Sequence, residues 1–288
     1  MRKILFLFTV VLLTSGCLSL SRDQMTDIRI ITGPYPIQYI VNYLYGDHAE
    51  VVSIYPIGTL YSEYQLNNNQ INDFASADLF VFAGQLETER DYARAMLGIN
   101  RHLRLIDASS KITATDEISV LWLNPANAIM MAQNIKNGLA QYISNPYLIR
   151  EVEANFTSFQ QTLTEIDAEL TIMANNSQNR TLVFMDDSFM FLERYGFNVI
   201  SLADNDNLTT RTINQVISLI NQERVTRIFV PVGAEINAPL TRIREQTSIR
   251  IERINTIKSI TEEQVSDNET YISILRNNLE ILKRELYR

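Results

Sequence analysis

"NPYLIREVEANFTSFQQTLTEIDAELTIM" (residues 145–173) decides how the chain is organised. Asn145-Pro146 is a helix start: a side chain able to cap, then a proline whose fixed φ suits the first helical position. Val152, Phe156, Phe159, Leu163, Ile166, Leu170 and Met173 follow at spacings of 4, 3, 4, 3, 4 and 3. That period keeps one apolar stripe on one helical face. No Gly or Pro interrupts from Tyr147 to Gln178. The spacing predicts one helix of about 28 residues, ~42 Å long. A stripe this regular reads as core-facing.

On both sides of this helix, strand-like and helix-like runs alternate. Before it come "IRIITG", "PIQYIVNYLYG", "AEVVSIY", "NNNQINDFASA" (a helix or a turn), "DLFVFAG", "ETERDYARAML", "LRLIDAS" and, after "LWLNP", the helix "ANAIMMAQNIKNGLAQY". After it come "RTLVFM", "DSFMFLERYGF", "NVISLA", "TINQVISLINQERV", "RIFVPVG", "NAPLTRIREQT", "SIRIERI" and "NETYISILRNNLEILKREL". Short loops between alternating elements mark parallel α/β domains. The expectation is an α/β protein of two lobes, each a parallel sheet flanked by helices. Residues 28–144 form the first lobe, 145–178 a stiff linking helix and 179–288 the second, with a ligand in the cleft between them.

The chain has 288 residues, enough for two cores, and its 46% hydrophobic and 20% charged content is that of a globular protein. A formal net charge of −8 argues against nucleic acid as a main partner and leans toward cationic over anionic solutes. The N-terminus, "MRKILFLFTVVLLTSGC", has a basic start, an apolar run from Ile4 to Leu13, and small residues before Cys17. That run is too short to span a bilayer and has the layout of a secretory signal. The small residues before the cysteine resemble a bacterial lipobox, with Thr14 where Leu is commoner. The resemblance implies a lipoprotein signal over residues 1–16, lipidation at Cys17, a tether over 17–27, and a body held outside the cytoplasmic membrane by two or more acyl chains. Cys17 is the only cysteine, which excludes internal disulfides, CxxC redox chemistry and thiolate metal clusters.

Several stretches in order resemble the solute-binding lipoproteins of zinc and manganese ABC importers. These are "GDHAEVVSIYPIGTLYSEYQL", "ASADLFVFAGQLETE", "LWLNPANAIMMAQNIKNGL", "FLERYGFNVISL", "RIFVPVG" and "YISILRNNLEILKREL". The resemblance runs from about Ile28 to the C-terminus. It implies a receptor that delivers a solute to an ABC permease, and four metal-ligand positions. Those positions fall on Ser62, Val120, Asp186 and, to within a residue or two, Ser259. The histidines such a family uses are absent, as is the His-rich acidic loop of many zinc members. Zinc needs about four N, O or S donors near 2 Å, and a valine offers none. Asp186 and Glu63 are the remaining, weak candidate metal donors; no cofactor is certain, and a divalent metal held by oxygens alone stays open although the usual ligands are absent. His48 and His102, the two histidines of the chain, read as solvated loop residues.

Two functions remain open. In one, Tyr61, Ser62, Glu63, Tyr64, Trp122, Asp186, Asp187 and Ser259 line a changed cleft for a small polar or cationic solute, through charge-assisted hydrogen bonds and cation–π contact. Glu63 and Asp187 also read as solvent-facing, and Trp122 as core. In the other, the fold serves as an adhesin or scaffold that no longer captures a solute. Arg224, Arg227, Arg242, Arg244, Arg250 and Arg253 would then be a contact surface, although a solvated face salted with glutamates accounts for them too. An enzyme is not expected: the cleft positions carry no His or Cys, and the chain has no Gly-rich phosphate loop.

Overall fold

The predicted central helix is present in the computed structural model, which describes residues 25–113 and 118–287. The signal segment, Cys17 and all but the last residues of the tether lie outside that range. Helix α5 (Pro146–Asn176, numbered by its place in the chain) is 31 residues long, ~46 Å at 1.5 Å per residue. Asn145 caps it by accepting from the Tyr147 N–H at 2.9 Å. The seven stripe residues are all buried. The Ser177 hydroxyl closes the last turn on the Met173 carbonyl.

The first lobe runs β1 (Ile28–Thr32), α1 (Tyr35–Tyr45), β2 (Ala49–Ser53), α2 (Asn68–Ala75), β3 (Leu79–Phe82), α3 (Glu87–Ile99), β4 (Arg104–Asp107) and α4 (Pro125–Ala140). Its sheet has the order β2-β1-β3-β4, all parallel. The second lobe, after α5, runs β5 (Thr181–Phe184), β6 (Asn198–Ser201), α6 (Thr210–Asn221), β7 (Arg227–Pro231), α7 (Ala238–Gln246), β8 (Arg250–Ile254), α8 (Glu262–Ser266) and α9 (Tyr271–Leu286). Its sheet repeats the pattern, β6-β5-β7-β8, again parallel. The segment "NNNQINDFASA" is a helix, because Asn67 and Gln70 form a reciprocal capping box. The short α8 had no apolar period to announce it.

Side-chain alternation in the second sheet divides its core. Leu182, Phe184 and Phe229 face α5 and α9, and join one apolar cluster that runs unbroken into the first lobe. Val183, Ile228 and Val230 face the other way and pack with α6 and α7. Helix α9 returns to lie against α5, so two helices, not one, tie the lobes. The ring of Tyr271, the first residue of α9, lies tilted against that of Tyr39 on α1, with centroids 5.6 Å apart. Thr270 caps α9 by accepting from the Ser273 N–H, while the Ser273 hydroxyl accepts from the Thr270 N–H. Thr270→Ala will lower stability by about 1 kcal/mol, read as a shift in urea midpoint without a change in slope.

Candidate functional site

The seam between the lobes lies at the carboxyl ends of β2 and β8, where parallel sheets present their loops. After β2, Ile54 and Tyr55 are buried and the chain turns at Pro56-Ile57-Gly58. Gly58 takes φ +77°, the left-handed region, and its N–H donates to the Ile260 carbonyl at 2.8 Å. The Pro-Gly turn is therefore bonded directly to the opposite lobe.

The sequence-predicted residues do not converge on an open cleft. Tyr61 is buried; its hydroxyl donates to the Ser119 carbonyl at 2.8 Å and its ring meets Trp122 edge-on at 5.9 Å. Ser62 and Glu63 are exposed. Tyr64 accepts from the Gln70 side chain at 2.6 Å. Val120 is buried at a kink in the short 3-10 stretch Ile118–Leu123. Trp122 is 1% exposed and is core, not a ring offered to a ligand. Its indole N–H donates to the Thr256 carbonyl at 3.0 Å, and its own carbonyl accepts from the Tyr271 hydroxyl at 2.5 Å. Asp186 spends both oxygens on its own loop: Oδ1 accepts from the Ser188 N–H at 3.1 Å and Oδ2 from the Ser188 hydroxyl at 2.9 Å. Asp187 accepts from Asn205 at 3.3 Å. Ser259 is half-buried and, of the predicted set, lines the seam cavity described below.

Among the described residues, no group of three or more His, Cys, Asp or Glu could hold a metal ion. The residues at the four resemblance positions thus do not fit a transition metal: an isopropyl group, an exposed hydroxyl, a half-buried hydroxyl and a carboxylate already engaged. Neither histidine compensates. His48 is half-buried, not solvated, and sits 3.0 Å from the Glu151 carboxylate of α5 without hydrogen-bond geometry. It lies at the opposite end of β2 from the Pro-Gly turn. His102 is exposed, in the loop before β4.

Two of the six arginines in the arginine-rich stretch are engaged within their own lobe. Arg227 lies 3.5 Å from Glu252 and 3.4 Å from Glu285, and Arg253 donates to the Pro231 and Ala234 carbonyls.

Two polar residues that sequence reasoning passed over stand behind the seam. Glu89 is fully buried at the start of α3; its Oε2 accepts from the Ala83 N–H at 2.7 Å. Burial pushes its carboxyl up to about 8, against the pull of that N–H and of the neighbouring Tyr55 hydroxyl, with Asp107 adding to the rise. Burial, together with Glu89, pushes the Tyr55 hydroxyl up as well. The two groups sense one another, yet neither Glu89 Oε1 nor the Tyr55 hydroxyl finds hydrogen-bond geometry. Gly33 lies against them, since a Cβ there would stand 2.4 Å from Glu89 Oε2 and would displace the carboxyl. One signal for Glu89 was available: it shares the buried face of α3 with Tyr92, Ala93 and Met96 at helical spacing.

The space left at the seam is a cavity of about 20 Å³ between the Pro-Gly turn and the loop after β8, lined among others by Tyr35, Gln38, Tyr55, Lys258 and Ser259. That is room for one water-sized particle, and none of its lining residues is acidic.

Comparison with known proteins places this architecture. A family model described as ZnuA, zinc-uptake complex component A periplasmic, matches residues 30–285. The zinc-binding lipoprotein AdcA of Streptococcus pneumoniae is 21% identical over 290 residues, a match spanning 89% of this chain and 55% of that protein. The chain therefore spans about half the length of that relative. The manganese ABC transporter substrate-binding lipoprotein PsaA of Streptococcus mitis is 23% identical, with 96% of this chain and 95% of that one covered. The crystal structure of the Zn(II)-bound ZnuA-like domain of S. pneumoniae AdcA superposes with a TM-score of 0.74 at 19% identity, over 91% of this chain and all of that domain. No helix among the described residues is long and apolar enough to cross a membrane. The chain belongs to the ZnuA-type family of ABC transporter substrate-binding proteins, whose members are receptors and not enzymes.

Proposed function

We propose that the chain is the extracytoplasmic receptor of an ABC importer, tethered through Cys17, whose seam no longer holds a histidine-coordinated transition metal. The observation that carries the reading is Asp186. It is the one strong donor at the resemblance positions, and both its oxygens are committed to Ser188. With Val120 buried and Ser62 facing solvent, zinc would have to break an existing turn and would still lack nitrogen ligands. A relative named for zinc and another named for manganese make those two ions the ones to test. In calorimetry and thermal unfolding, neither ion will raise the melting temperature. A tight receptor at a thousandfold excess over its Kd would gain about 4 kcal/mol. Stoichiometric zinc binding abolished by Asp186→Ala would overturn the proposal.

A second reading, the adhesin or scaffold, is favoured by the closed seam. The lobes are joined by Gly58–Ile260, Trp122–Thr256, Tyr271–Trp122 and Arg194–Asn124 hydrogen bonds. The 20 Å³ that remains is far below the several hundred Å³ an organic solute occupies. The cationic solute anticipated from the aromatic and acidic residues has no place in it. Titration against a broad solute panel separates the two readings: any saturable ligand at the seam supports the receptor, and none supports the scaffold.

A further inference from the structure

Glu89 and Tyr55 make a buried pair that reaches the seam through packed side chains. Glu89 Oε1 and the Tyr55 hydroxyl are neighbours, both buried and both without hydrogen-bond geometry. Buried polar atoms left in that condition are rare and call for a reason. The Tyr55 ring lies 6.0 Å from that of Tyr61, which meets Trp122 edge-on at 5.9 Å. Tyr55 also precedes Pro56-Ile57-Gly58, the turn whose Gly58 N–H donates to Ile260 of the second lobe.

The second lobe's side of the seam is held against resistance. Ile257 takes φ +54°, a conformation that a β-branched residue adopts only where its surroundings impose it. Asn255 Oδ1 accepts from the Ile257 N–H at 2.7 Å, and Asn278 of α9 holds the Asn255 backbone at both its N–H and its carbonyl. Thr256 and Ile260 accept from Trp122 and Gly58 of the other lobe. Parting those last two bonds frees the loop from one side, so its strain works in favour of opening.

A neutral Glu89 suits its place and a charged one does not. Burial pushes the carboxyl up to about 8, against the Ala83 N–H and the Tyr55 hydroxyl, with Asp107 adding to the rise. Arg90 of α3 is turned to the Gly84 carbonyl and gives no ion pair. Tyr92, also on α3, has its hydroxyl on the Leu66 N–H, and β1 brings only Gly33 against the carboxyl. Ionised, Glu89 would draw in water, and the seam cavity that Tyr55 lines has room for one.

We infer that closure of the seam is proton-linked: ionisation of Glu89 displaces Tyr55 and parts the Pro-Gly turn from the second lobe. The closed seam keeps a proton that the opened one, with Glu89 hydrated, gives up. Closure is strongest at low pH, weakens as pH rises above an ordinary carboxyl's 4.5, and levels off above about 8. The inference rests on the receptor reading for its use, control of access to the seam. Its test contains no metal or solute, so the two fail separately.

The test uses the full chain in detergent and its single tryptophan, whose indole N–H gives one resonance. Exchange of that proton, corrected for its intrinsic rate, measures how often the Trp122–Thr256 bond opens. Its protection factor will fall up to about tenfold per pH unit between about pH 5 and pH 8, then level off. It will stay below the protection of the β3 and β5 amides, because the seam opens without the sheets. In Glu89→Gln it will not change with pH. Tyr55→Phe keeps the ring but removes a donor to the anion, and will move the levelling-off to higher pH. Far-UV circular dichroism checks that each variant is folded; should Glu89→Gln not fold, the parent profile and Tyr55→Phe decide. A flat profile in the parent, or the same fall in Glu89→Gln, overturns the latch. So does protection equal to that of the strands at every pH, which would mean that only global unfolding releases Trp122.

Discussion

Glu89→Gln will flatten the pH dependence of stability between about pH 5 and pH 8. Glu89 carries a raised carboxyl, about 8 against an ordinary 4.5, so the folded state keeps a proton that the unfolded chain gives up. Its contribution is fully present below pH 4.5, falls as pH rises through the interval, and is lost above about 8. The slope is negative because the native state binds more protons. The whole fall is on the order of 4 kcal/mol. The groups that face this carboxyl are Tyr55, from the turn after β2, and Asp107, at the end of β4. Asp107 is itself held by the Gly84 and Ser109 N–H groups. Arg90, its neighbour on α3, is turned to the Gly84 carbonyl. Gln keeps the size and an oxygen for the Ala83 N–H, adds an NH₂ that can reach the Tyr55 hydroxyl, and cannot ionise. Urea midpoints at pH 5 and pH 9 measure the effect: the parent loses stability across the interval and the variant holds it. Equal slopes in the two proteins would show that Glu89 is already ionised in the fold.

The contrast between what the sequence shows and what it hides follows from range. α5 was legible because seven apolar residues at alternating spacings leave one way to bury them. The two sheets were legible because runs such as "LFVF" (β3) and "TLVF" (β5) are buried on both faces. The seam was not, because closure is made by pairs far apart in the chain: Gly58 with Ile260, Trp122 with Thr256. Asp186 was visible as a carboxylate, but an Asp two residues before a Ser also reads as a turn that folds the acid onto its own backbone, and that is its role. Lys258 carried no signal at all. Nothing around it in "NTIKSITEE" says that the loop would be forced through a left-handed isoleucine to form one wall of the seam cavity.

Trp122→Ala will cost more than any surface change, about 4 kcal/mol from the lost packing and a further ~1 to 2 kcal/mol from the Thr256 carbonyl left without its donor. The indole is 1% exposed and stands where the lobes meet, with Tyr61 edge-on to it and the Tyr271 hydroxyl bonded to its backbone. Trp122→Phe separates the terms, since it keeps most of the ring volume and loses only the N–H; about 1–2 kcal/mol is expected. Guanidinium unfolding followed by far-UV circular dichroism and by tyrosine fluorescence gives the numbers. In the parent and in both variants the two probes will move together, because the cluster along α5 and α9 runs through both lobes and the second lobe's smaller cluster lies on the other face of a sheet that this larger one covers. A Trp122→Ala variant within 1 kcal/mol of the parent would mean that the lobes stay shut without the seam. The loop carrying Lys258 would then have to be held by Asn278 and Gly58 alone, and Ile257 would have little reason to remain in its strained conformation.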